Sequence, residues 1–146
     1  MKTPKETVIH LFVATDQRNW DDVREAFHNK VLLDYSSMTG NAAMVMTPDQ
    51  IIAAWRGILP GFEATHHQVG NFLIQEEGPK SHILCYGTAT HYLGDESGNV
   101  WTVVGSYDFE LNKGPQGVWT ISAMKFNVTY QDGNTRLPEK AMNRLK

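Results

Sequence analysis

The sequence is short of cysteine, of net charge and of long apolar runs, and each shortage removes a class of protein. Cys85 is the single cysteine in 146 residues, which excludes an internal disulfide and any zinc site built from several thiolates. Thirteen Lys and Arg stand against sixteen Asp and Glu, for a net charge of −3. No basic surface for nucleic acid or an anionic membrane is therefore expected. No apolar run approaches the roughly 18 residues of a membrane span. The start, Met1 to Glu6, lacks the apolar core and cleavage site of a signal peptide, so a cytoplasmic protein is the expectation. What remains is the composition of one globular domain, 41% hydrophobic and 20% charged. A chain of this length buries roughly 70% of its unfolded surface without staples.

Local patterns give the order of elements. Thr3-Pro4-Lys5-Glu6 predicts a helix start, with Thr3 as cap, Pro4 in the first turn and Glu6 completing a capping box. Its apolar face (Val8, Ile9, Leu11, Phe12, Val13) continues to about Thr15. Asn19 caps a second short helix carrying Trp20, Val23, Ala26 and Phe27, with Asp21 and Asp22 at its favourable end. Val31 to Tyr35 reads as a strand, and Met38 to Met46 as a loop. Thr47-Pro48-Asp49-Gln50 repeats the capping signature, so a third helix carries Ile51, Ile52, Trp55 and Ile58 until Pro60 and Gly61 end it.

After Gly61 the period changes to two. Four strands are expected near 64–76, 81–93, 99–112 and 117–130, joined by short turns and hence antiparallel. Residues 131–146 read as a polar tail or edge cover outside a domain of residues 1–130. The fold class is α+β: three N-terminal helices packed on a curved sheet of one short strand plus a four-stranded meander. The expected shape is a cone-shaped barrel enclosing a small-molecule pocket.

On the third meander strand, Trp101, Val103, Tyr107, Phe109 and Leu111 share one face, and Thr102, Val104, Ser106, Asp108 and Glu110 the other. Placing the second set toward the pocket leaves the first as an apolar outer face, from which a homo-oligomer, dimer or trimer, is expected; the alternative reverses the faces, with Ser106 and Asp108 merely solvated. His66 and His67 are neighbours on a strand and point to opposite faces, so only one lines a pocket. Pairing about the turn near 77–80 sets a residue near 67 opposite one near 90, which brings His67 and His91 together. Asp16 lies just past the predicted end of the first helix, where a plain polar role in the helix-helix turn is the bland alternative.

These residues carry a resemblance. Asp16-Gln17-Arg18-Asn19-Trp20-Asp21, then Asp34-Tyr35, Thr65-His66-His67-Gln68-Val69-Gly70, His91, and Ser106-x-Asp108 before Gly117-Val118-Trp119 follow one another at a spacing similar to the SnoaL-like branch of the nuclear transport factor 2-like superfamily. That branch contains scytalone dehydratase, and the resemblance covers about residues 5–130. It implies an Asp16–His67 dyad in which the carboxylate orients the imidazole and His67 removes a proton. It further implies His91 as an acid and Tyr35 as a carbonyl-polarising group, with Ser106 and Asp108 orienting substrate. Two positions depart from the dehydratase pattern: Thr15 stands where a tyrosine is usual, and Asp108 where an asparagine is. Trp55, Met44, Met46, Phe62 and Phe126 are candidates for the apolar wall.

The activity implied is a lyase or isomerase acting without cofactor or metal on a small hydroxylated cyclic or polyketide-like compound. A non-catalytic binding or accessory domain of the same fold is the alternative. A metal-binding triad of His67, His91 and Asp16 is a third reading, permitted by the spacing.

Overall fold

Helix α1 spans Pro4–Asp16 and starts on the capping box read above: the Thr3 hydroxyl accepts from the Glu6 N–H, and the Glu6 carboxylate accepts from the Thr3 N–H. Val8, Leu11 and Phe12 form its buried stripe. In this computed structural model, which describes residues 2–146, α1 leads to α2 (Trp20–Ala26), capped by Asn19. Phe27 does not extend that helix as expected but opens β1 (Phe27–Asp34), where it pairs with Ile121. Burial decides the matter, since Phe27 is 5% exposed and its ring meets the Trp55 ring edge-on at 5.9 Å.

The stretch read as a loop holds two small elements. A four-residue helix α3 (Ser36–Thr39) is closed by Gly40 with φ 78°, and β2 (Met44–Met46) pairs antiparallel with β1. Helix α4 (Pro48–Arg56) begins on its own capping box at Thr47 and gives way to a 3-10 turn at Leu59–Gly61. The meander follows as β3 (Ala64–Glu77), β4 (Lys80–Tyr92), β5 (Val100–Lys113) and β6 (Trp119–Gly133).

The sheet has six strands in the order β2-β1-β6-β5-β4-β3. β1 runs parallel to β6, and every other neighbouring pair is antiparallel. Strands β2 and β3 are free edges, so the sheet is curved and mixed but does not close into a barrel. The core lies between the sheet and the helices, around fully buried Leu11, Ile83, Phe109 and Ile121. Each such side chain contributes roughly 1.5–3 kcal/mol by leaving water.

The faces of β5 are the reverse of the expectation. Trp101, Val103, Tyr107, Phe109 and Leu111 are all buried, while Ser106 and Asp108 lie on the opposite, partly exposed side. There Asp108 accepts from the Asn127 amide at 3.0 Å and sits 3.1 Å from His82 Nε2. An apolar outer face on β5, the premise for an oligomer, is therefore absent.

Residues 131–146 complete β6 and form helix α5 (Leu137–Arg144), whose Leu137 and Ala141 are fully buried. This helix docks on the 3-10 turn so closely that a β-carbon on Gly61 would meet the Ala141 carbonyl oxygen at 2.0 Å. Arg144 also donates to the Gly61 carbonyl at 2.6 Å.

Candidate active site

A cavity of about 150 Å³ opens between the helices and the inner face of the sheet. Its walls are Phe12 of α1, Trp55 of α4, Trp101 and Tyr107 of β5, and Phe126 of β6. No Asp, Glu, Lys or Arg lines it among the described residues. The polar side chains facing it are Thr15, Tyr35, His67, His91 and Tyr107. Thr15 is not free, because its hydroxyl donates back to the Leu11 carbonyl at 2.7 Å.

Asp16 is the last residue of α1, and it meets β3 behind His67. One carboxylate oxygen, Oδ1, stands 2.7 Å from His67 Nδ1 and accepts from the Thr65 hydroxyl at 3.0 Å. The other, Oδ2, accepts the His67 backbone N–H at 2.7 Å. Burial opposes the charge on Asp16, but the bonds from His67 and Thr65 outweigh it and hold its carboxyl below the usual value of 3.8. An ionised carboxylate only accepts, so Nδ1 carries the proton and Nε2 is left with its lone pair. The Phe12 ring stacks on the imidazole at 5.3 Å and limits its rotation.

His91 lies two residues beyond Ala89, the partner of His67 across β3 and β4, and so shares its face. The two rings stand 6.0 Å apart, nearly perpendicular. Its surroundings differ. His91 Nδ1 donates to the Trp101 carbonyl at 3.0 Å, and its ring stacks on Trp101 at 4.3 Å and tilts against Phe62 at 4.9 Å. Burial pushes the imidazole down to about 4, outweighing the carbonyl's opposite pull. At neutral pH His91 is thus uncharged, and its Nε2 accepts hydrogen bonds instead of giving a proton.

Other expectations divide. Tyr35, Trp55 and Phe126 line the cavity as anticipated, whereas Met44, Met46, Ser106 and Asp108 do not. Met44 is 63% exposed on the edge strand β2. Phe62 stands behind His91 as a support, not in the wall. His66 faces away and is exposed. A metal triad of His67, His91 and Asp16 is not built, since the carboxylate is spent on Nδ1 of one histidine and the backbone holds Nδ1 of the other. Among the described residues no group of three such side chains is placed to hold a metal.

Tyr107 and Trp101 line the cavity, against the expectation that sets the polar face of β5 toward it. A usable signal is the glycine diagonal to it on β4: Tyr107 pairs with Cys85, and a β-carbon on Gly87, two residues on, would run into the Tyr107 ring, so that position is kept empty for it. Burial, with Tyr35 nearby, raises the Tyr107 hydroxyl well above its ordinary range, and burial raises Tyr35 as well. Both phenols are therefore neutral donors.

Residues 5–125 match the model of the SnoaL-like domain. The chain belongs to the SnoaL-like family. Its fold is similar to the Kfla4162 protein of Kribbella flavida, at 26% identity and a TM-score of 0.86 over 93% of this chain and 94% of that one. A proposed scytalone dehydratase from Novosphingobium aromaticivorans aligns at 16% identity and a TM-score of 0.76, over 88% and 83% of the two chains. A hexachlorocyclohexane dehydrochlorinase, LinA-type3, from Novosphingobium barchaimii gives 12% and 0.74, over 90% and 87%. No curated protein is a match to the sequence. Among the described residues, no helix of this SnoaL-like chain is long and apolar enough to cross a membrane.

Proposed function

We propose that this SnoaL-like protein is a lyase or isomerase, dehydratase-like in its chemistry, that removes a C–H proton from a small uncharged cyclic or polyketide-like compound without a cofactor. The observation that carries the reading is the 2.7 Å contact between Asp16 Oδ1 and His67 Nδ1 at the edge of an apolar cavity. It makes Nε2 the base and stabilises the imidazolium that forms, an arrangement worth roughly 10²–10⁴ in rate.

Apolar cavities of about this volume take one benzene-sized ring. The absence of ionic side chains in the lining suits a neutral ligand, because a charged one would have nothing to replace its water. Tyr35 and Tyr107 offer two hydroxyls to an oxygen on which negative charge develops, and His91 Nε2 accepts from a substrate hydroxyl.

In an elimination, Nε2 takes the proton from the carbon next to the carbonyl and the C–H electron pair moves onto the carbonyl as an enolate. The enolate pair then returns to form the new double bond as the C–O bond breaks, and the imidazolium gives its proton to the departing hydroxyl, which leaves as water. His67 serves as base and then as acid, which suits a neutral His91.

The test is proton exchange. Cyclic hydroxyketones incubated with the protein in D2O should exchange the hydrogen next to the carbonyl, followed by NMR. His67→Asn should slow this at least roughly a hundredfold. Exchange at an undiminished rate in that variant overturns the assignment, and tight binding without exchange would make the protein a ligand-binding domain instead.

A further inference from the structure

Asp16 ends a helix, where the aligned carbonyls repel a carboxylate, and no basic residue lies in the last turn of α1. The charge that answers it comes from two residues further on. Arg18 N–H donates to the Thr15 carbonyl at 3.1 Å and Asn19 N–H to the Ala14 carbonyl at 2.9 Å, the paired bonds of a Schellman turn. Arg18 takes the left-handed position of that turn, with φ 59°. Glycine is the usual occupant, since a β-carbon is crowded there.

The arginine that occupies this strained position spends its guanidinium inward. Nη1 donates to the Thr15 carbonyl at 2.9 Å and to the Thr65 hydroxyl at 2.7 Å, and Nη2 donates to the Leu59 carbonyl at 2.8 Å. Guanidinium only donates, so Thr65 Oγ1 must accept from it and turn its single proton outward. That proton goes to Asp16 Oδ1. One cation thereby reaches the wall of the cavity at Leu59, the end of α1 and the carboxylate of the dyad.

We propose that Arg18 is a positioning residue for the Asp16–His67 pair. Acting through Thr65, it sets the direction of the hydroxyl proton, holds the carboxylate in the rotamer that meets Nδ1, and supplies the positive charge that balances Asp16 while His67 is neutral. The titratable groups facing the imidazole are few: Asp16 and Arg18 at the end of α1, His91 on β4, and the phenols Tyr107 on β5 and Tyr35 after β1. His91 and the phenols are uncharged at neutral pH, so Asp16 and Arg18 decide the local sum. Without Arg18 the pair carries an uncompensated negative charge in a half-buried place, and His67 fills with a proton it must lack to act as a base.

The effect on turnover rests on the reading of His67 as a base, whereas the effect on its titration does not. Arg18→Gly removes the guanidinium yet suits the left-handed turn, and Thr65→Val removes the relay hydroxyl at nearly constant shape. The NMR titration of the His67 ring protons is followed in each, together with the acidic limb of the deuterium-exchange profile. The expected result is an upward move of the His67 midpoint by about one pH unit in Arg18→Gly, a tenfold gain in proton affinity. A smaller move in the same direction is expected in Thr65→Val, with the exchange limb moving in step.

A midpoint that stays in place in Arg18→Gly overturns the proposal and leaves Arg18 as a fastener of the helix turn. Should that variant not fold, an unmoved midpoint in Thr65→Val does the same. A shifted midpoint in a protein that shows no exchange at all supports the positioning role and removes the base reading alone.

Discussion

His67 and His91 sit 6.0 Å apart on neighbouring strands and point into the same cavity, yet the fold makes different reagents of them. A carboxylate meets Nδ1 of His67 and a backbone carbonyl meets Nδ1 of His91. Both partners fix the same tautomer. Burial keeps His91 neutral even against its carbonyl partner, whereas Asp16 offers the half-buried His67 a countercharge. On the proposed reading, burial and the partner at Nδ1 together separate a base from a polar wall.

The largest expected effect breaks the pair on the His67 side. His67→Asn should cost roughly 10²–10⁴ in exchange or turnover, or about 3–5 kcal/mol of barrier. Asp16→Asn should come close to it in a folded protein, since an amide neither selects the Nδ1–H tautomer reliably nor stabilises the cation.

The His91 side is read through stability. Its imidazole falls from 6.5 to about 4 on folding, so the unfolded chain binds the proton first as the solution is acidified. The stability this group contributes is therefore full above about pH 6.5 and is lost as pH falls toward 4, by up to roughly 3 kcal/mol. Asp16, held below 3.8, is a depressed carboxylate whose contribution fades only below that value. Urea midpoints at pH 7 and pH 4.5 should accordingly drop in the native chain and drop much less in His91→Gln. An equal drop in both would place the acid sensitivity elsewhere.

Smaller effects sharpen the contrast from the far wall. Gly87→Ala should push the Tyr107 ring from its place and cost about 1–3 kcal/mol of stability, measured by thermal melting. Tyr107→Phe should leave melting nearly unchanged while slowing exchange about tenfold, because it removes one hydroxyl and little volume.

Those residues also mark how far the sequence could be read. The capping boxes at Thr3 and Thr47 and the turns of the meander are local signals, and the elements they predict begin and end within a few residues of the expected positions. Strand β2 was not legible: three residues carry no period, and Met44–Met46 is a strand only because β1 pairs with it. Asp16, His67 and His91 came together as anticipated, the dyad through resemblance to a family and the two histidines through strand pairing. The orientation of β5 was lost for a different reason. Both of its faces hold residues with a plausible use, and alternation says which side chains travel together but not which way they go. In the structure the apolar set turns inward, which puts Tyr107 in the cavity and leaves Ser106 and Asp108 on the other face.

The contact of α5 with the 3-10 turn carries a thermodynamic consequence. Ile58 and Leu59 form part of the cavity wall, and the 3-10 turn that Leu59 opens is pinned at Gly61 by Ala141 and Arg144 from 80 and 83 residues later in the chain. Undocking of the helix and loosening of the wall are thus one opening event, and whatever fills the cavity makes that event rarer. A bound ligand should slow amide hydrogen exchange in α5, which it never touches, and the free-energy increment measured there reports occupancy of the cavity.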